Sequence, residues 1–244
     1  MIKIGCWNIR GLNDSCKQSE IRNFISKNNI QIFGILETRV RSVNKDWIQK
    51  KVFRDWSVID NQDFSTLGRI WIGWNSNIIQ VKKFYVSTQM VILTMEPLDN
   101  SQFFYASFVY GSNDEKDRKD LWRDICHYAP IIGNQPWILL GDFNVARHSS
   151  DIANYSRPKT RSMTQFVDAI NSASLEDLKY VGVHYTWSNK QVGPANVSKK
   201  LDRVLINDTW LQYIPDAMAE FFSPGVSDHS PSVVTLGSPC KRKR

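Results

Sequence analysis

Apolar and polar positions divide the chain into short strand-like runs separated by a few helical stretches. Ile2, Ile4, Cys6 and Asn8 alternate with other residues in "IKIGCWN", which predicts a strand ending in polar groups. Ile21, Phe24 and Ile25 follow helical spacing through "SEIRNFISKNN". "IQIFGILE" is a short apolar run that suits a strand buried on both faces, and it ends in Glu37. "WSVID", "RIWIGWN", "IIQVKKFYV", "MVILTME" and "FFYASFVYG" follow, and their β-branched and aromatic content predicts a large sheet region. Helices are expected in "DEKDRKDLWRDICHYA" from Asp114, with Leu121, Ile125 and Tyr128 on one stripe, and in "TQFVDAINSASL". "YTWSN", "KLDRVLIN" and "SPSVVTL" read as further strands. No internal repeat and no Gly/Ser/Pro linker divides the chain, so the pattern implies one mixed α/β domain with two substantial sheets.

The ends of these apolar runs carry the polar residues Asn8, Glu37, Tyr110, Asp142, Asn144, Asp202, Asp228 and His229. In "LLGDFNV" an apolar strand runs straight into Gly141-Asp142-Phe143-Asn144. Extended backbone would aim Asp142 and Asn144 at the same side, although Gly, Asp and Asn are equally the makings of a turn. Taken singly, the others also have structural explanations. Asn8 can cap a helix, Glu37 can be a surface acid, and Tyr110 can be core with a wet hydroxyl. Asp202 beside Arg203 can be a salt-bridged strand residue, and "SDHSP" can be a turn.

As a set they suit phosphodiester cleavage, which needs a divalent ion, an activated water and stabilised charge on the leaving group. Glu37, Asn8 and Asp228 offer the oxygen ligands that Mg²⁺ prefers. His229 titrates near neutrality, and a carboxylate behind it, Asp202, would fix its tautomer. Asp142 and Asn144 would orient the water and bind the phosphate.

Charge and cysteine content narrow the setting. The formal net charge of +7 is compatible with a polyanionic partner such as nucleic acid. Part of the excess lies in a basic tail, residues 238–244 ending "CKRKR", which reads as a nuclear-import or phosphate-contacting patch or as the solvated cut edge of a longer polypeptide. The four cysteines show neither CxxC pairing nor zinc spacing, so free thiols in a reducing compartment are expected. "MIKIGCWNIR" has no apolar signal-peptide region and no run is long enough to span a membrane, which implies a soluble intracellular chain. The loop from Asn189 to Lys200 carries Gly193-Pro194 at its tip and Lys190, Lys199 and Lys200 at its base. It reads either as a solvated hairpin or as a basic probe of a nucleic-acid groove.

Seven blocks in order carry a family resemblance: "WNIRGLN", "GILETRV", "YGSND", "LGDFNV", "YTWSN", "KLDRVLIN" and "VSDHSP". Residues 1–237 resemble the exonuclease/endonuclease/phosphatase superfamily, and more closely the apurinic-type endonuclease domain of plant non-LTR (LINE-type) retrotransposons. The resemblance implies a four-layered α/β sandwich, two packed mixed β-sheets flanked by helices. It implies Glu37 as principal metal ligand with Asn8 and Asp228 nearby, and Mg²⁺, or Mn²⁺ in its place, as cofactor. His229 would contact the scissile phosphate and Asp202 orient it. Asp142, helped by Asn144, would position water or handle the leaving oxygen, and the Tyr110 hydroxyl would support the phosphate. Arg10, Thr186, Lys190, Lys199, Lys200 and Ser227 become candidates for DNA contact.

One departure stands out. Repair-type relatives carry an acid two residues after the first Asn, where this chain has Arg10, which weighs against efficient abasic-site cleavage. The function implied is a nuclear, metal-dependent endonuclease that nicks double-stranded DNA and leaves a 3′-hydroxyl for a fused reverse transcriptase. A repair endonuclease or phosphatase on the same fold, and a non-catalytic DNA-binding module, are the competing readings.

Overall fold

The structure is a computed structural model that describes residues 1–64, 69–99, 101–154 and 158–237. The basic tail, Cys240 included, lies outside the described residues. In chain order the elements begin with β1 (Lys3–Asn8), α1 (Ser15–Lys27), β2 (Ile32–Leu36), α2 (Ser42–Phe53), β3 (Ser57–Asp60) and β4 (Ile70–Trp74). There follow β5 (Ile79–Val86), β6 (Met90–Pro97), β7 (Phe104–Tyr110), α3 (Glu115–Ile132), β8 (Trp137–Asp142) and α4 (Arg161–Ser172). The remainder is β9 (Leu175–Asp177), β10 (Tyr180–Gly182), β11 (Trp187–Ser188), β12 (Ser198–Lys199), β13 (Asp202–Asn207), α5 (Asp208–Tyr213), β14 (Met218–Phe221) and β15 (Ser232–Thr235).

Two mixed sheets result. One has seven strands in the order β10-β14-β15-β1-β2-β4-β3, and the other six in the order β5-β6-β7-β8-β13-β9. Ile4, Cys6, Ile32 and Ile72 from the first meet Leu93, Phe108, Ile138, Leu140 and Val204 from the second in a core between the sheets. Leu121, Trp122 and Ile125 of α3 and Phe166 and Ile170 of α4 cover the outer face of the six-stranded sheet. Ile21 of α1 and Ile48, Val52 and Phe53 of α2 cover the outer face of the seven-stranded sheet. The expected four-layered sandwich is therefore present, and the helices start on local signals. Asp14, Asp114 and Thr160 each accept a backbone N–H at the N-cap of α1, α3 and α4.

The period of the strands decides where polar residues end up. Side chains alternate between faces, so the inward row Ile4, Cys6 of β1 continues to Asn8, and Ile138, Leu140 of β8 continues to Asp142. In β13 the row Ile206, Val204 runs to Asp202, and in β7 the row Phe104, Ala106, Phe108 runs to Tyr110. These four polar residues occupy the last inward positions of four strands, and all are buried. Pairing brings them to one end of the sandwich, with Tyr110 beside Asp142 in the parallel pair β7–β8 and Asp202 beside Asp142 in the antiparallel pair β8–β13. Gly141 makes the β7–β8 approach possible. Its φ is +143°, and a Cβ there would lie 2.1 Å from the Val109 carbonyl oxygen.

Candidate active site

At that end of the sandwich, Asp142, Asp202 and His229 form a buried cluster with ligand-type atoms within 4.8 Å of one another. His229 Nδ1 lies 2.9 Å from Asp202 Oδ2, and its Nε2 lies 3.7 Å from Asp142 Oδ2. Asp142 is held on both oxygens: Asn8 Nδ2 donates to Oδ2 at 2.9 Å and the Asn144 backbone N–H to Oδ1 at 2.9 Å. Burial alone pulls the His229 pKa down, but the carboxylates of Asp202 and Asp142 outweigh it and raise the imidazole to about 9. Burial pushes Asp142 up to about 6, against the opposing pull of His229. The triad at neutral pH is thus an imidazolium between two carboxylates, one of them close to its own titration.

The expected pairing of Asp142 with Asn144 is met by a different geometry. The two were expected to share one face of extended backbone, but β8 stops at Asp142 and Asn144 adopts φ 51°. The chain turns there, and Asn144 donates its side-chain N–H to the Gly111 carbonyl at 2.7 Å. The turn still leaves Asn144 lining the same cavity as His229. Four of the site residues, Arg10, Glu37, Arg39 and Asn144, have left-handed backbone. Each such position costs on the order of 1 kcal/mol, and clusters of them mark functional sites.

A cavity of about 870 Å³ opens over the cluster, lined by Arg10, Glu37, Arg39, Asn144, Trp187 and His229 among others. Glu37 follows the last residue of β2, and its carboxylate is buried. It is paired with Arg39, and Asp228 is paired with Arg10. Asp228 also accepts from Trp187 Nε1 at 3.0 Å. Burial raises its pKa, but His229 and Arg10 prevail and hold it below the usual carboxylate range. The loops that follow β1 and β2 stay zipped, since Gly11 N–H donates to the Glu37 carbonyl and Leu12 N–H to that of Thr38, both at 2.8 Å.

Two sets of groups can be weighed as a cation site. The Asp142–Asp202–His229 set is poor, because an imidazolium has no lone pair to give and Nδ1 is committed to Asp202. Glu37, Asp228 and Asn8 instead offer hard oxygen donors of the kind Mg²⁺ or Mn²⁺ prefers, and Asn8 Oδ1 keeps a second lone pair beside the one that accepts from the Arg10 backbone N–H. Each carboxylate already holds a cationic partner, Glu37 with Arg39 and Asp228 with Arg10, so in charge and donor type these residues fit a divalent ion.

Other expected residues occupy varied places. The Tyr110 hydroxyl lies 3.5 Å from Arg69 Nη1, and burial together with Glu37 and Asp142 keeps it firmly protonated. Lys190 is exposed on the hairpin, and Lys199 lines the cavity with its ammonium 5.6 Å from the Trp187 ring centroid. Thr186 and Ser227 are buried and brace backbone. Thr186 Oγ1 accepts from the N–H groups of Leu201 and Asp202, and Ser227 Oγ donates to the Asn8 carbonyl. Lys200 requires a correction. Expected at the base of a groove-facing hairpin, it is buried with its ammonium 3.6 Å from the Tyr180 ring centroid, and burial pulls its pKa down to about 8. It packs its stem inward and does not face the cavity.

Arg39 and Trp187 are the site residues that sequence reasoning missed. A signal for Arg39 was present: "NIR" and "ETR" each place an arginine two residues after the polar residue that closes an apolar run, and the two runs prove to be parallel neighbours.

Residues 5–229 match the model of the Endonuclease/Exonuclease/phosphatase family. The chain belongs to this family. Members of the endonuclease/exonuclease/phosphatase family are divalent-metal-dependent hydrolases, mostly phosphodiesterases. Among solved structures the chain is similar to the endonuclease domain of TRAS1, a telomere-specific non-LTR retrotransposon, with TM-score 0.75 and 14% identity over 98% of this chain and 99% of that one. It is similar also to the AP endonuclease LMAP from Leishmania major, with TM-score 0.74 and 16% identity over 98% of this chain and 88% of that one. An AP endonuclease from Archaeoglobus fulgidus gives TM-score 0.70 and 14% identity over 98% and 100% of the two chains. At these identities the likeness establishes the fold. No curated protein sequence gives a significant match.

Proposed function

We propose that this family member is a metal-dependent DNA endonuclease of a non-LTR element, which nicks one strand of duplex DNA in the nucleus. The nick would leave a 3′-hydroxyl for a fused reverse transcriptase to extend. The observation that carries the reading is the His229–Asp202–Asp142 cluster beneath an open cavity rimmed by Arg10, Arg39 and Lys199. A small-molecule phosphatase has less use for a basic hairpin, Asn189 to Lys200, at the rim of that cavity.

In this reading water adds at phosphorus, the P–O3′ bond breaks, and the departing 3′-oxygen takes a proton from solvent. Glu37, Asp228 and Asn8 Oδ1 would hold the divalent cation, which supplies Lewis-acid stabilisation of phosphate charge. His229, kept protonated by Asp202 and Asp142, donates from Nε2 to a phosphate oxygen. Asp142, raised to about 6, is ionised at neutral pH yet basic enough to accept the proton that water loses. Asn8 and the Asn144 backbone N–H hold its two oxygens in place. The protonated Tyr110 hydroxyl would donate to the phosphate, while Asn144 Oδ1, its Nδ2 given to the Gly111 carbonyl, would accept from the attacking water.

The repair reading is the weaker one, because Arg10 occupies the position of an acid and pairs with Asp228. Supercoiled plasmid with Mg²⁺ tests the proposal. Relaxed circles from the parent protein, lost on chelation and absent with Glu37→Ala and His229→Ala, are the expected result. A plasmid left intact while an abasic duplex is cut would move the assignment to repair.

A further inference from the structure

Two nearly buried carboxylates, Glu37 in the cavity wall and Asp228 behind it, are each paired with an arginine that lines the cavity. Arg10 pairs with Asp228 and Arg39 with Glu37. The acids are nearly buried, with side chains 8% and 6% exposed, whereas the arginines are half exposed at 53% and 50%. Buried carboxylates need a counter-charge, but the guanidiniums that supply it remain reachable from the cavity they line. Both arginines sit on left-handed backbone, φ 49° for Arg10 and 52° for Arg39. Each lies two residues beyond a polar residue at the end of β1 or β2, and the zipped loops behind them fix where they stand. Arg39 donates to a carboxylate two positions earlier in its own turn, a contact that needs no rearrangement of the sheet to break.

We propose that Arg10 and Arg39 are exchangeable counter-ions: they occupy Asp228 and Glu37 until a divalent cation takes those carboxylates, and then bind phosphates of the DNA. This rests on the endonuclease reading and adds Arg39 as a phosphate-binding residue of that site. The charge count closes. Two carboxylates balanced by two guanidiniums become two carboxylates balanced by one divalent cation, with two guanidiniums released to face a polyanion. A freed guanidinium offers a fork of donors matched to two phosphate oxygens, which an ammonium does not. Cation and phosphate therefore do not compete. Each removes an obstacle to the other, so their binding is positively coupled, and by linkage the coupling is reciprocal.

Binding measurements test this without any turnover. Mn²⁺ affinity is read from the electron paramagnetic resonance of the free ion, with and without a short phosphorothioate duplex, for the parent, Arg39→Ala, Arg10→Ala and Arg39→Lys. Arg41→Ala serves as a charge control, since it removes one positive charge two residues from Arg39 and pairs with no carboxylate among the described residues. The duplex should tighten Mn²⁺ binding by the parent by about fivefold or more. Arg39→Ala should bind Mn²⁺ more tightly than Arg41→Ala in the absence of DNA, and should lose most of the enhancement by the duplex. Arg39→Lys should retain the charge but recover only part of that enhancement.

A melting experiment gives an independent readout. Chelator should lower Tm more in Arg39→Ala than in the parent, because Glu37 is then left without a counter-charge, and Mn²⁺ should restore it. Coupling in Arg39→Ala and Arg10→Ala equal to that in Arg41→Ala overturns the inference, even if all three nick plasmid. Coupling that behaves as described while no variant or parent cuts DNA leaves the inference standing and overturns the endonuclease reading.

Discussion

Asp202 and Arg203 are neighbours in β13, yet they anchor two buried charge networks of opposite character. Asp202 faces inward with Asp142 and His229, beneath a cavity open to solvent. Arg203 faces outward, 1% exposed, and pairs with Asp151 and Asp177, while Arg147 also pairs with Asp177. The outward network sets Arg203, Arg147 and the nearby Lys200 ammonium against Asp151 and Asp177, and the N–H groups of Arg147 and His148 donate to Asp151 Oδ2. It joins the turn before Ile152 to β9 and β13, with the Nε groups of Arg203 and Arg147 left without a partner. The inward network sets two carboxylates against one imidazolium and is left electrostatically unfinished. What separates the two is place: the inward cluster lies beneath a cavity open to solvent, and perturbed titratable groups in a cleft are the ones that mark a candidate site.

The sharpest way to break the comparison is to remove the centre of each network. His229→Ala should cut plasmid nicking by about 10³-fold, within the range of lost acid–base groups, with a change in unfolding midpoint small by comparison. Arg203→Leu should do the reverse, costing about 3–5 kcal/mol of stability in urea unfolding because Asp151 and Asp177 lose a buried partner. If Arg203→Leu unfolds at the parent's midpoint, the outward network is not structural.

The pH responses should also differ in sign. In the proposed mechanism nicking requires Asp142 ionised and His229 protonated, so the rate should rise through about pH 6 and fall through about pH 9. These limbs belong to the coupled triad as a whole. Asp202→Asn removes the largest charge that raises His229, so the alkaline limb should move toward neutrality.

Stability follows from the same shifts. His229, raised above its ordinary value, contributes fully below about pH 6.5 and loses that contribution as pH rises through about 9. Burial raises the Asp177 carboxyl, but Arg203 and Lys200 outweigh it and leave its pKa lowered, so its contribution is present above the ordinary carboxylate range and lost on acidification. Differences in unfolding free energy between parent and His229→Gln should therefore shrink at alkaline pH, and those for Asp177→Asn at acid pH. The smallest effect is expected from shortening the hairpin between β11 and β12. Nicks should persist at nearly the parent rate but at other sites, because deformability of the target is read at the rim. An unchanged map of nicks would remove the hairpin from specificity.

Much of the inward network was legible in the sequence because its members end apolar strands, where period-two alternation leaves little choice of direction. Asn8, Asp142, Asp202 and Tyr110 follow from that alone. The outward network was less legible, since Asp151 ends a single 3-10 turn and β9 is a strand of three residues, both too short for periodicity to register. Helix α2 escaped for a related reason. It buries Ile48, Val52 and Phe53 but leaves Val43 and Trp47 exposed, so its apolar residues do not mark a single face. Lys200 misled because a lysine at the foot of a hairpin is ordinarily solvated, and nothing local announces the rings of Tyr180 and Phe221 beneath it.

The inward rows that finish as Asn8, Tyr110, Asp142 and Asp202 make the chemistry a by-product of strand register. A slip of one residue in β1, β7, β8 or β13 would turn its polar end outward and drive the outward-facing set of side chains into the core. Molecules that misalign while folding therefore forfeit both packing and reactivity, and no well-packed but misregistered form can keep the constellation intact. If the proposed nicking is this protein's activity, its loss reports misregistered sheets as well as altered residues, and the active fraction of a preparation becomes an assay of folding fidelity.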